Sequence, residues 1–202
     1  MWTEEDEEKY IDLLNIYDLL EPKRTIKGDF QSNIYIMEKK VEFEQQTFFN
    51  GDMSLYLPKG YIENYYGEEI FKVRQMGEYF EFVSEDKKLV FIIERGSKES
   101  LGIDKEVYVD LEDFYDAYVD ELECKNDDIE VNKWETFIIT NGIVDVFRVM
   151  IECDEDDFYG FVFFIYVGDR IFRFCIGSKI YSLEVVGNIG KKIVQNGVFQ
   201  EG

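Results

Sequence analysis

The chain contains no histidine. That removes the side chain that titrates near neutral pH, the Ser-His-Asp and Cys-His arrangements of nucleophilic catalysis, and the commonest transition-metal ligand. Cysteine is scarce, with only Cys124, Cys153 and Cys175. An odd count without a CxxC spacing argues against a disulfide framework or a zinc site. Cys153 and Cys175 fall near the ends of strand-like runs and are expected to act as small buried hydrophobes. No neighbouring histidine is available to activate a thiol.

Basic residues are also few. There are 22 Lys and Arg against 44 Asp and Glu, a net charge of −22. Such a surface repels phosphates and anionic lipid heads, so neither nucleic acid nor a membrane is expected as a partner. A basic protein would be attracted, although solubility alone also explains an acidic chain. No run approaches the roughly 18 apolar residues of a membrane span. Residues 1–10, MWTEEDEEKY, have no basic region or apolar core of signal-peptide type. A cytoplasmic protein without a cofactor or metal is the expectation.

What is present is a large supply of core. The 202 residues are 46% hydrophobic and 17% aromatic, enough for one domain with an added arm. The most informative stretch is Trp134 to Gly177, WETFIIT-NG-IVDVFRVMIEC-DEDD-FYGFVFFIYV-GD-RIFRFCIG. Asn141-Gly142 is a strong hairpin signal, because both residues tolerate φ > 0. Asp154 to Asp157 and Gly168-Asp169 mark two more turns. The stretch reads as an antiparallel meander in which Phe158 to Val167, apolar on both faces, is the central strand. Asp154 to Asp157 lacks the glycine and terminal glutamate of a calcium loop, so a solvated turn is the better reading.

The rest of the chain packs around this meander. Residues 3–20 pattern as a helix that Thr3 caps and Pro22 stops. Residues 23–33 read as a polar linker. Short strands follow at 34–37 and 41–43, and Met53 to Pro58 alternates as a half-buried strand. Residues 61–69 form a tyrosine-rich loop. Strands are expected at 79–83 and 88–93, with Arg95 to Ser100 a polar loop. Asp110 caps a second helix whose apolar face holds Leu111, Phe114, Tyr115, Tyr118 and Leu122. Ser182 caps a third, Leu183 to Gln195. In it, Leu183, Val186, Ile193 and Val194 share one face, and Gly187 and Gly190 permit close approach to the sheet. Asn196-Gly197 reads as its C-cap.

A strand covered on both faces, with two one-faced helices to cover it, predicts an α/β/α sandwich around a mostly antiparallel sheet, an α+β architecture. The domain spans 34–202, with a helical arm and linker over 1–33. The pattern resembles the PsbP-like superfamily, which includes the photosystem extrinsic protein, the bacterial DcrB-type proteins and the Ran-binding nuclear import factor. Three features carry the resemblance over residues 41–199. They are the turn Leu57-Pro58-Lys59-Gly60-Tyr61, the mid-chain helix Leu111 to Cys124, and the strand Ile171 to Ile176 before a closing helix. Residues 1–33 lie outside it. The shared motif is structural, so the resemblance transfers no functional residue. It implies a binding or accessory role rather than catalysis.

Candidate sites follow from charge and aromatics, and no catalytic, cofactor or metal residue is assigned. Residues 104–130 carry twelve acids and two bases, a net of −10. On the second helix, Glu112, Asp113, Asp116, Asp120 and Glu123 oppose the apolar face. Tyr61, Tyr65 and Tyr66 offer aromatic contact area, or else fold back over the sheet. Together these residues are the candidate docking surface for a basic protein partner. The competing reading is a hydrolase with two acidic residues converging in a cleft.

Overall fold

A computed structural model describes residues 26–30, 34–37, 39–63, 77–85, 88–97, 119–120, 124, 129–151 and 157–201. The expected first helix and the acidic turn up to Asp156 lie outside these residues. So does most of the second helix; of it, Val119, Asp120 and Cys124 are described, and all three are helical.

The chain divides into two compact units, Met1–Phe43 and Glu44–Gly202. The first contains an antiparallel meander of β1 (Ile26–Lys27), β2 (Ile34–Ile36) and β3 (Lys39–Val41). Ile34 and Ile36 are buried and Tyr35 is exposed, the alternation a one-sided strand requires. β1 falls in the stretch expected as linker. Two residues are too short for a periodic signal, and pairing with β2 makes them a strand.

The second unit is built on a seven-stranded antiparallel sheet in the order β6-β7-β8-β12-β11-β10-β9. Its strands are β6 (Ile62–Glu63), β7 (Glu78–Val83), β8 (Val90–Ser97), β9 (Ile129–Ile139), β10 (Gly142–Ile151), β11 (Phe158–Val167) and β12 (Arg170–Ser178). β9 to β12 are the expected meander. β12 takes the middle place and β11 stands beside it, paired on both edges.

β11 is buried on both sides. Its odd-numbered residues Phe161 and Phe163 meet the helix α1 (Leu183–Gln195). Its even-numbered residues Val162 and Phe164 join Ile92, Phe147, Val149, Ile171 and Cys175 in a cluster on the opposite face. The α1 face is shared with a second sheet, β13-β5-β4, formed by β4 (Phe43–Phe48), β5 (Met53–Pro58) and β13 (Val198–Phe199). Met53, Leu55 and Leu57 of β5 are fully buried. Phe172 of β12 joins the sheets, touching Phe199 at 5.7 Å and Phe49 at 6.3 Å between ring centroids. This is a mostly antiparallel α+β fold.

Several local expectations need correction. The β9–β10 hairpin exists, but Ile139 pairs with Gly142, so the turn residues are Thr140 and Asn141. Neither Asn141 nor Gly142 has positive φ. Gly142 is required for space instead, since a Cβ there would strike the Tyr166 carbonyl. β8 runs on through Arg95 to Ser97, where a loop was expected, and β6 lies within the expected tyrosine loop. Cys175 is inside β12, not at its end. Ser182 occupies the N-cap of α1 with extended backbone and makes no side-chain cap bond. On α1, Leu183 is half-buried, while Val185 and Ile189 join the buried face.

Arg95 stays in a strand because its charge is met from far along the chain. Its guanidinium binds the Asp52 carboxylate and, at 3.2 Å, Glu78. Arg170 reaches the other Asp52 oxygen at 2.6 Å. The Asp52 carbonyl accepts from Gln200 N at 2.8 Å, so the turn before β5, the large sheet and the C-terminal strand are tied at one point. Burial acts to raise the Asp52 pKa, but the hydrogen bonds and charges of Arg170 and Arg95 outweigh it and hold the carboxyl below its ordinary value.

Two predictions follow from this packing. Alanine for glycine in a helix normally gains about 1 kcal/mol. At Gly190 a Cβ would lie 2.6 Å from the Phe163 ring and 2.8 Å from Ile176. Gly190→Ala is therefore expected to destabilise the protein, by about 1–3 kcal/mol, in urea unfolding. A stabilised variant would show that α1 does not depend on this close approach. Asp52 has a folded pKa below its unfolded one, so its contribution is present above the ordinary value of 3.8 and is lost as pH falls through the folded value. Asp52→Asn should cost about 1–3 kcal/mol at pH 7. The gap from wild type should narrow below about pH 4, as unfolding at pH 7 and pH 3 would reveal.

Candidate functional site

The sequence-derived site is only partly within the described residues. Glu112, Asp113, Asp116, Glu123, Tyr65 and Tyr66 lie outside them. Asp120 is helical and exposed, as an outward acidic face requires. Tyr61 is half-buried, and its ring meets Phe82 edge-on at 4.9 Å. It leans on the sheet through this contact and keeps part of its surface in solvent.

The buried carboxylates are engaged by bases or hydrogen-bond donors. Glu94, fully buried, pairs with the buried Arg173 directly across the β8–β12 ladder and accepts from Gly77 N at 3.1 Å. Asp145 accepts from the Thr136 hydroxyl and lies 3.2 Å from the Lys133 ammonium. With Asp52 held by two arginines, these are structural ion pairs. Among the described residues, no group of three acidic or cysteine side chains is placed to hold a metal ion. Cys124 is exposed, and Cys153 lies outside the described residues. Burial pushes the Cys175 thiol up to about 12, outweighing the opposing charge of Arg173, and Glu94 adds to the rise.

The exposed apolar surface is at the other end of the sheet. β9 is the outermost strand and eleven residues long. It carries a bulge at Trp134, where Glu135 pairs with Val146 and Lys133 with Phe147, leaving Trp134 without a partner across the ladder. Trp134 is 41% exposed, yet its ring meets Phe161 at 4.7 Å. It lies over the sheet beside α1 with one flank in solvent. On the opposite face, Ile138 is 83% exposed and its cross-strand partner Ile143 is 49% exposed. The row continues inward through Tyr166 to buried Ile171.

The charges of β9 are paired with neighbouring side chains. Glu130 binds Arg148 at 2.9 Å, Glu135 binds Lys191 of α1, and Lys133 binds Asp145. The last four residues of the strand, Thr136 to Ile139, carry no charge. It contains three consecutive apolar β-formers, Phe137, Ile138 and Ile139, on a sheet edge. This edge was not among the sites expected from the sequence. The available signal was apolar residues at both parities of one strand, which asks for cover on two faces, but it is ambiguous until the strand is known to lie at an edge.

The inert thiol yields a prediction. With Cys124→Ser and Cys153→Ser in place, Cys175 alone should react with a thiol reagent at pH 8 about three orders of magnitude more slowly than a thiol at its ordinary value of 9.0. Denaturant should restore the rate. Rapid reaction in the folded protein would place Cys175 in a solvent-reached site.

No family model and no curated protein matches the sequence. Solved structures do match. A protein from Bacteroides thetaiotaomicron aligns over 78% of this chain and 48% of its own, at 13% identity and a TM-score of 0.47. The protein of unknown function PA94 from Pseudomonas aeruginosa aligns over 79% and 99%, at 12% identity and a TM-score of 0.47. Cyanobacterial PsbP from Synechocystis covers 78% of this chain and 92% of its own length, with a TM-score of 0.58 at 7% identity. At that identity the likeness is one of fold, and the fold of this chain is PsbP-like.

Proposed function

We propose that this protein is a non-catalytic, cytoplasmic binding or accessory protein, of chaperone or immunity type, that engages a basic protein through an acidic, aromatic-bearing surface. The observation that carries the proposal is the coexistence of a net charge of −22 with exposed Trp134, Ile138 and Ile143 at one edge of the sheet. Protein interfaces use buried tryptophan and aliphatic anchors for affinity, while surrounding charge sets the encounter rate. The charge is unevenly distributed. Residues 104–130 hold −10, whereas residues 178–202 hold three lysines and two acids, a net of +1. Asp120 is exposed on the acidic segment. Such a field attracts a cationic surface and repels nucleic acid and anionic membranes. Among the described residues, no helix is long and apolar enough to cross a membrane.

The test uses a partner recovered by co-purification. Reversing Asp113, Asp116 and Asp120 to lysine should slow association about tenfold or more at low salt and flatten its salt dependence. A normally folded triple variant with an unchanged on-rate would reduce the acidic face to a solvated surface.

A further inference from the structure

The outer edge of β9 has the makings of a strand-addition site. It ends the seven-stranded sheet, and among the described residues β9 pairs only with β10. Natural edges are commonly blunted by bulges, charges or short length. Here the bulge at Trp134 and the neighbouring Lys133 guard the N-terminal half. The last four residues, Thr136 to Ile139, have neither device, and their side chains are β-formers. At about 3.4 Å per residue it offers roughly 14 Å of regular edge and roughly four outward backbone hydrogen-bonding groups. Immediately beside it, on one face, the exposed Ile138–Ile143 pair forms an apolar floor.

We infer that a basic, extended segment of a partner protein adds as a strand to β9 along Thr136–Ile139, with an apolar side chain covering Ile138 and Ile143. This rests on the proposed binding role and specifies its mode. Two arguments choose the occupant. A second copy would bring another −22 to the same edge, and this short contact offers little area to offset the repulsion. A cationic segment meets attraction instead. Backbone pairing also suits a disordered basic tail, since main-chain bonds supply affinity and alternate side chains supply specificity.

The probe is a capped nine-residue peptide of alternating lysine and valine, measured against the full chain at low salt by fluorescence anisotropy. A second peptide carries N-methyl groups on alternate backbone nitrogens, which keeps charge but blocks pairing. Ile138→Lys places a guard on the edge, and Ile180→Lys makes the same charge change at another exposed isoleucine, beyond the end of β12. The expected result is that N-methylation and Ile138→Lys each weaken binding at least tenfold, that Ile180→Lys changes it less than twofold, and that the peptide slows amide exchange within 136–139. Equal binding of both peptides, or equal effects of the two lysine variants, would overturn strand addition and leave a charge-based binding role standing. A wild-type dimer abolished by Ile138→Lys would overturn it in favour of self-pairing. No binding of either peptide at low salt would overturn both the strand addition and the attraction to basic partners on which it rests.

Discussion

β11 and β12 have no face to give to water. Phe161, Phe163 and Ile165 of β11 are buried on one side and Val162 and Phe164 on the other; β12 repeats the pattern with Phe172 and Phe174 against Ile171 and Cys175. Fully burying each large side chain is worth about 1.5–3 kcal/mol, so exposing either face would cost an amount comparable to a domain's whole net stability. The layered architecture follows. One face is closed by α1 and the small sheet, and the two glycines of α1 let the helix backbone descend onto Phe161 and Phe163. The opposite face is closed over the cluster that contains Cys175. Burial on that face raises the thiol pKa, so the same constraint that shapes the fold makes this cysteine chemically quiet.

Burial falls away toward β9. Its residues alternate between half-buried and exposed where those of β11 are nearly all buried. A strand at a sheet's rim has one paired edge, and on this one the apolar residues outnumber the places to bury them. Ile138 and Ile143 are the surplus. A high net charge opposes self-association, so a local apolar edge is tolerable on such a chain, and the proposed binding role would use it.

What could be read from the residues alone tracks the range of the interactions involved. The meander was legible because apolar runs of about ten residues alternate with turn residues. The bounds of α1 were legible because periodicity and glycine placement are local. The continuation of β8 was not, because Arg95 reads as loop until Asp52, 43 residues earlier, is known to stand beside it. The two-residue strands β1, β6 and β13 carry no period and exist through their partners. The candidate site divides in the same way. An outward acidic helix is an expectation from helical spacing, and of its acidic residues Asp120 alone is described, helical and exposed. The exposure of Ile138 depends on β9 standing last in the sheet, which is a topological fact with no local signature. Tyr61 was ambiguous for the same reason, and Phe82 claims its ring.

One polar device sits where hydrophobic patterning has least to say. Alternation normally fixes register, since a one-residue slip exchanges the faces of a strand. β8 and β12 are apolar on both faces, so a slip there exchanges one buried set for another at little cost. Glu94 and Arg173 break that degeneracy, because they lie directly opposite each other in the β8–β12 ladder and both are buried. A buried ion pair adds little to stability compared with a well-packed apolar pair, but separating its members costs about 3–5 kcal/mol by leaving charges uncompensated. A slip of one residue places them on opposite faces, and a slip of two moves them apart along the same face. The pair therefore selects among registers that hydrophobicity leaves nearly equal. By holding β8 in one register on β12, it also places Arg95 diagonally across from Arg170, where both guanidiniums converge on Asp52.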